Sequence, residues 1–92
     1  MSITVYLSGH LKSFTGGSTE ISLGKDFHSV GDALDSLWKQ YPALRDRVLN
    51  EQGEIRQHVN IFLGSDDVKR LDGLKTPIDT NEIHIFNAVS GG

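Results

Sequence analysis

The sequence predicts a single domain of the α+β class, in which a mixed sheet of four to five strands packs on one main helix. Apolar and polar residues alternate in four segments, which is the period of a half-buried strand. In one central segment the apolar residues recur with the period of an amphipathic helix. The 92 residues suffice for one modest core. Because one helix covers only one face of a sheet, the order strand–strand–helix–strand–strand predicts a roll of the β-grasp kind.

The first two predicted strands form a hairpin. In the segment 3–8 the odd-numbered residues are apolar, and the even-numbered ones are threonine, tyrosine and serine. A second alternating segment follows at 19–23. Gly16 and Gly17 lie between the two segments and permit the positive φ angles of a turn.

One continuous apolar stripe predicts the main helix. Its members are Val30, Ala33, Leu34, Leu37, Trp38 and Tyr41. Ser29 is a candidate N-cap, and Asp32 carries a negative charge near the positive end of the helix dipole. Pro42 ends this helix, since the residue before a proline avoids helical angles, and it can open a short second helix. The second helix turns three residues inward, namely Leu44, Val48 and Leu49.

The second half of the chain returns to strands. The segment 58–63 alternates, 64–67 has the composition of a turn, and 68–71 is predicted as a short edge strand. The last strand is predicted at 82–86, with its two isoleucines inward. A crossover through the helix allows the first and last strands to lie side by side at the centre of the sheet.

Composition excludes several classes of function. The chain has no cysteine, which removes disulfides, iron–sulfur clusters and thiol nucleophiles. Its net charge of −3 does not favour nonspecific binding to nucleic acid or to anionic membranes. No apolar run is long enough to span a membrane, and no secretory signal is visible at the N-terminus. We therefore expect a monomeric cytoplasmic protein that acts through contacts with other proteins, with no metal and no bound cofactor.

The last six residues, 87–92, differ in character from the rest of the chain. They contain no charged side chain and finish on Gly91 and Gly92. We expect a domain at 1–86 followed by a flexible tail at 87–92, with the terminal carboxylate as the ionisable group of the tail. Two glycines can enter a slot too narrow for other residues. Frayed termini are common, so the tail alone is a weak signal, but directly after the last strand of a β-grasp order it indicates a function.

At this point the sequence resembles the ubiquitin-like sulfur-carrier proteins of the ThiS/MoaD family. The resemblance covers nearly the whole chain, and the Gly-Gly ending is its specific mark. The motifs look closest to the carriers that serve cysteine biosynthesis. They are found at 15–17, 41–45, 59–62, 73–77 and 88–92.

The resemblance implies that the protein is a carried substrate rather than an enzyme, with no catalytic residue of its own. An E1-like enzyme would use ATP to adenylate Gly92, and sulfur would then displace AMP to leave a thiocarboxylate. A second enzyme, cysteine-synthase-like on this resemblance, would accept the sulfur. The residues that would thread the partner's active site are Ala88, Val89, Ser90 and Gly91.

A second candidate site lies on the outward side of the predicted sheet. Its members are Tyr6, His58, Phe62, His84 and Phe86. An aromatic patch of this kind on a small protein suggests a docking face, although ordinary surface residues explain it equally well. The two histidines lack a third ligand for a metal. Arg45, Arg47 and Arg56 are interpreted as solvated charges, with pairing to acidic groups of a partner as the alternative.

The sequence alone leaves three other functions open. The same activated tail would serve a protein modifier that is joined to lysines of a target. A permanent subunit, like the small subunit of molybdopterin synthase, would keep its tail inside a partner enzyme. A plain interaction domain would never have its tail activated. The residues do not identify the final sulfur acceptor.

Overall fold

The computed structural model describes residues 2–87. Within this range five strands form one mixed sheet in the order β2-β1-β5-β3-β4. Their bounds are Thr4–Leu7 for β1, Glu20–Ser22 for β2, Val59–Leu63 for β3, Asp66–Asp67 for β4 and Glu82–Asn87 for β5. Strand β1 runs parallel to β5, and the other neighbours are antiparallel. The β-grasp fold is thus confirmed, including the adjacent first and last strands.

Two α-helices cover one face of this sheet. Helix α1 spans Val30–Gln40, and α2 spans Pro42–Val48 with the proline in its first turn. Ser29 is the N-cap of α1, as predicted, because its side chain accepts a hydrogen bond of 3.1 Å from the amide of Asp32. The Asp32 carboxylate in turn accepts a 3.0 Å bond from the amide of His28. The first bond pairs an amide that the first helical turn leaves without a partner, and the second fastens the residue before the cap to that turn.

The core lies between the helices and the inner face of the sheet. All stripe residues of α1 except the half-buried Tyr41 are buried, and the inward residues predicted for the second helix are buried too. Every second residue of the three central strands is buried. These strand residues are Val5, Leu7, Val59, Ile61, Leu63, Ile83 and Ile85. The two periods in the sequence therefore identified the apolar faces of both layers correctly.

The prediction of an edge strand at 68–71 is wrong. The edge strand β4 lies earlier, inside the predicted turn, and residues Val68–Arg70 form a 3₁₀ helix instead. The side chain of Asp67 accepts a 3.0 Å hydrogen bond from the amide of Lys69, which stabilises the helical turn. Val68 is fully buried, whereas Leu71 remains half exposed. Of these two apolar residues, only Val68 packs into the core.

The long connection between β1 and β2 contains an element that the alternation did not reveal. Gly9–Phe14 form a 3₁₀ helix whose Leu11 is fully buried. The turn that follows has positive φ at Gly16 and Gly17, as expected from their lack of a side chain. The hairpin is therefore confirmed, but its connection packs on the core.

Candidate functional site

The five residues proposed to form the active tail, Ala88–Gly92, lie outside the described residues, so their role stays a prediction. Asn87 is the last described residue. It ends β5 and pairs with Val59 across the sheet. Its amide also donates to the Ser8 hydroxyl at 3.4 Å. The tail therefore follows the end of a central strand that is held by neighbours on both sides.

Four of the five residues predicted for the docking face come together on the open face of the sheet. Tyr6 and His84 are register partners on β1 and β5, and their rings stack with centroids 4.8 Å apart. The rings of Phe62 and Phe86 stack at 5.4 Å across β3 and β5. Phe86 remains 36% exposed, and the other three are half-buried. The result is an aromatic surface of two stacked pairs, which we call the aromatic face.

The aromatic face has a polar edge next to Tyr6. The Nε2 atom of His84 lies 3.2 Å from Oε1 of Glu82, the nearest residue on the same face of β5. A stacked ring and a carboxylate thus hold the imidazole in place from two sides. The fifth predicted residue, His58, is not in this arrangement: it precedes β3 and is exposed at the end of the sheet.

His58 instead lines a cavity of about 290 Å³ near the base of the tail. The walls of this tail-base cavity come from the 3₁₀ helix at 9–14, from α2, from the loop before β3 and from the end of β5. They consist of His10, Phe14, Asp46, Arg47, Arg56, His58 and Asn87. This cluster is not visible in the sequence, because its members are far apart along the chain.

Two contacts hold the arginines of the tail-base cavity. The guanidinium carbon of Arg47 lies 4.8 Å from the centre of the Phe14 ring, a cation–π arrangement. Arg56 donates from Nε to the main-chain oxygen of Asp46 at 2.9 Å. Each arginine is therefore anchored at one point, while the cavity stays polar.

The described residues do not offer a metal centre. Between residues 2 and 87 no group of three histidine, aspartate or glutamate side chains is placed to hold a metal ion. A larger cavity of about 480 Å³ lies beside the first turn of α1, between His28 and Trp38.

Among residues 2–87 no helix has the length and apolar character needed to cross a bilayer.

The fold, the Gly-Gly ending and the comparison with known families agree. A model described as the ThiS family matches residues 5–92. The chain belongs to the ThiS family. Carrier proteins of the ThiS family are not enzymes. The match runs through the tail and ends on Gly92.

Curated relatives within the ThiS family include two kinds of protein. Small archaeal modifier protein 3 of Haloferax volcanii is 38% identical over 68 residues, which cover 73% of each chain. The sulfur carrier protein CysO of Mycobacterium tuberculosis is 30% identical over 95 residues, which cover 100% of both chains. These relatives agree with the family assignment. By sequence identity, the modifier and the sulfur carrier are similarly distant from this chain.

Solved structures show the same division. SAMP1 of Haloferax volcanii matches with a TM-score of 0.82 and 31% identity over 100% of both chains. CysO of Mycobacterium tuberculosis matches with a TM-score of 0.82 and 28% identity, covering 95% of this chain and 99% of that chain. The BexX/CysO complex of Amycolatopsis orientalis contains a chain with a TM-score of 0.86 at 22% identity, covering 98% of this chain and 99% of its own. That last likeness concerns the fold alone.

Proposed function

We propose that this ThiS-family protein is a sulfur carrier whose Gly92 becomes a thiocarboxylate. The observation that carries the proposal is the family match, which continues through the uncharged tail to Gly92. A carboxylate is a poor electrophile, so an E1-like enzyme would first join it to AMP from ATP, with release of pyrophosphate. A sulfur nucleophile would then attack the acyl carbon, AMP would leave, and the sulfur would remain on Gly92.

The carrier itself would supply position rather than catalysis. Tail residues 88–91 would enter the partner's active site, where Gly91 allows the close approach that a side chain would block. ATP would be bound by the activating enzyme and not by this chain. The second partner would be a sulfur-accepting biosynthetic enzyme, and both steps would take place in the cytoplasm.

Cysteine biosynthesis is the pathway that we propose for the sulfur. The support is the CysO relative, a sulfur carrier protein that matches this chain over the full length of both. In that case the accepting enzyme would be similar to a cysteine synthase. The thiocarboxylate sulfur would bond to an electrophilic carbon of the acceptor to give a thioester, and water would then cleave the acyl–sulfur bond, which leaves the sulfur on the acceptor and restores the carboxylate of Gly92.

The aromatic face is the surface that we propose for docking to these enzymes. Its stacked rings present apolar area on the side of the sheet that the helices leave open, and Phe86 keeps over a third of its surface exposed. Aromatic side chains, phenylalanine among them, are enriched at the centres of protein interfaces relative to the rest of the surface. Strand β5 connects this face to the tail, so docking and insertion of the tail would occur together.

A protein modifier is the second candidate function. The two modifier relatives, at 38% and 39% identity, motivate it. In this function the adenylated Gly92 would be attacked by a lysine amine, which would form an amide bond to the target and release AMP. The conjugate would survive denaturation, whereas a thiocarboxylate carrier would stay at the mass of one chain.

Intact mass of the protein from its native cells tests both candidates. Exchange of one terminal oxygen for sulfur adds about 16 Da, the same as oxidation of Met1 to its sulfoxide. A thiol-reactive alkylator separates the two, because the chain has no cysteine and only a thiocarboxylate would react. An adduct that maps to Gly92 supports the carrier, and a ladder of conjugates supports the modifier.

Deletion of Gly92 provides the matched variant. We expect the deleted protein to fold, because no core residue lies beyond Ile85 in the described range, and to lose activation completely. Addition of one residue after Gly92 should have the same effect. Sulfur transfer by the deleted protein would refute the proposed carrier chemistry.

A further inference from the structure

The arginines of the tail-base cavity have no carboxylate partner among the described residues. Ion pairs between residues 2 and 87 are confined to Arg45 with Asp46 and to His84 with Glu82. In that range no hydrogen bond occupies the Nη atoms of Arg47 or of Arg56. These atoms are the paired donors that suit the two oxygens of a carboxylate or phosphate.

The other walls of the tail-base cavity bring one negative charge. His10 and His58 add ring nitrogens that can take part in hydrogen bonds. The single acidic wall residue, Asp46, directs its carboxylate to Arg45 at 3.4 Å, and its side chain is 76% exposed. The cavity is thus locally positive in a chain whose net charge is −3.

One amide oxygen in the wall of the same cavity lacks a hydrogen bond. The Oδ1 atom of Asn87 is buried and has no hydrogen-bond partner among the described residues. Buried polar atoms in native proteins are nearly always paired, so this atom needs a partner from elsewhere. A half-turn of the planar amide exchanges its oxygen and its NH₂ group, so the same position can donate to an oxyanion.

We infer that the tail-base cavity is an oxyanion site. It receives an acidic side chain of the E1-like enzyme into which the tail inserts. Arg47 and Arg56 would donate to the carboxylate, and Asn87 would complete the site. The tail has no charged side chain, so a charge contact that orients it must come from the domain. The identity of this partner rests on the proposed function, whereas the anion site itself does not.

Activation kinetics test the inference in the full chain. The double variant Arg47→Gln/Arg56→Gln should raise the KM of the E1-like enzyme for the carrier about tenfold, which corresponds to ~1.4 kcal/mol. It should leave kcat unchanged, because Gly92 still reaches the reacting centre. The matched control is Lys39→Gln/Lys75→Gln, which removes the same number of positive charges at two exposed residues outside the cavity.

Two further measurements separate charge from folding. Lysine in place of both arginines should lower the raised KM only in part, since the charge returns but the paired donors do not. Added salt should raise the KM of the wild type and leave that of the double variant nearly constant, because screening weakens only the contact that is present. An unchanged KM in the double variant, or an equal rise in the Lys39→Gln/Lys75→Gln control, would overturn the assignment of a partner carboxylate.

Titration of the isolated protein with acetate and with inorganic phosphate tests the anion site without any partner. The side-chain NMR signals of Arg47, Arg56 and Asn87 should shift in the wild type, and the shift of Asn87 should vanish in the double variant. Failure to activate the wild type at all would refute the proposed function while leaving this result intact. Absence of any shift would refute the anion site. A shift with phosphate alone, together with an unchanged KM, would assign the cavity to a free phosphate instead.

Discussion

Truncation of Phe86 on the aromatic face should weaken docking and also lower the free energy of unfolding by a comparable amount. Phe86 is 36% exposed, so folding buries about two thirds of its surface. Full burial of such a side chain is worth ~1.5–3 kcal/mol, and stacked aromatic pairs add ~0.5 kcal/mol or more. Solvent fills the space that Phe86→Ala leaves, so no cavity term applies. We expect a loss of about 2 kcal/mol in the free energy of unfolding.

The exposed third of the Phe86 side chain determines how much Phe86→Ala should raise the Kd for a partner. A phenylalanine buries ~150–250 Å² in all, so ~55–90 Å² remain to be covered by a partner. At ~25 cal/mol per Å² this area contributes ~1.4–2.2 kcal/mol, which is about a 10- to 40-fold rise in Kd. Isothermal titration with the E1-like enzyme measures Kd, and urea unfolding measures the free energy of unfolding.

Ile85→Ala is the matched control for Phe86→Ala. Ile85 is the neighbouring residue on the same strand, but it faces the core and is fully buried. Its truncation should cost ~2–5 kcal/mol of stability and change the Kd of the folded fraction little. A Kd for Phe86→Ala within twofold of the wild type would refute docking through this ring. A stability loss of ~4 kcal/mol or more would place the ring in the core.

Three further predictions concern the frame that carries the tail. Ser29→Ala should lower the free energy of unfolding by ~1 kcal/mol in urea titrations, because the cap bond to Asp32 is lost. Gly17→Ala should cost ~1–2 kcal/mol at its φ of +96°, whereas Gly24→Ala, with open space and no positive φ, should be nearly neutral in the same assay. Leu34→Ala, in the fully buried stripe of α1, should lower stability by ~2–5 kcal/mol, and an unchanged melting temperature would contradict the packing described above.

Long periodic segments made the main elements predictable. The stripe of α1 extends over three turns and has a serine cap before it and a proline after it, so period and boundaries agree. The alternation in β3 and β5 likewise assigned each side chain to the correct face, because a strand turns every second residue the same way. For the same reason the alternation alone predicts that Phe62 and Phe86 lie on the same face of the sheet.

Short segments were not predictable in the same way. Residues 68–71 contain two apolar positions, which fit a strand and a helical turn equally well, and the tertiary contact that buries Val68 selected the turn. The 3₁₀ helix at 9–14 has one buried residue, Leu11, and therefore no period at all. In both places a single side chain in the core decides the backbone conformation.

The sequence by itself determined the β-grasp order, the two faces of the sheet and the uncharged Gly-Gly ending, because each of these depends on neighbouring residues or on a fixed period. Only the tertiary structure decided that Arg47, Arg56 and Asn87 line one cavity at the base of the tail. They belong to α2, a loop and the last strand, so their approach depends on how the layers pack. A local pattern in the sequence predicts which way a side chain points. A site built from distant segments depends in addition on the packing of the core, which brings those segments together.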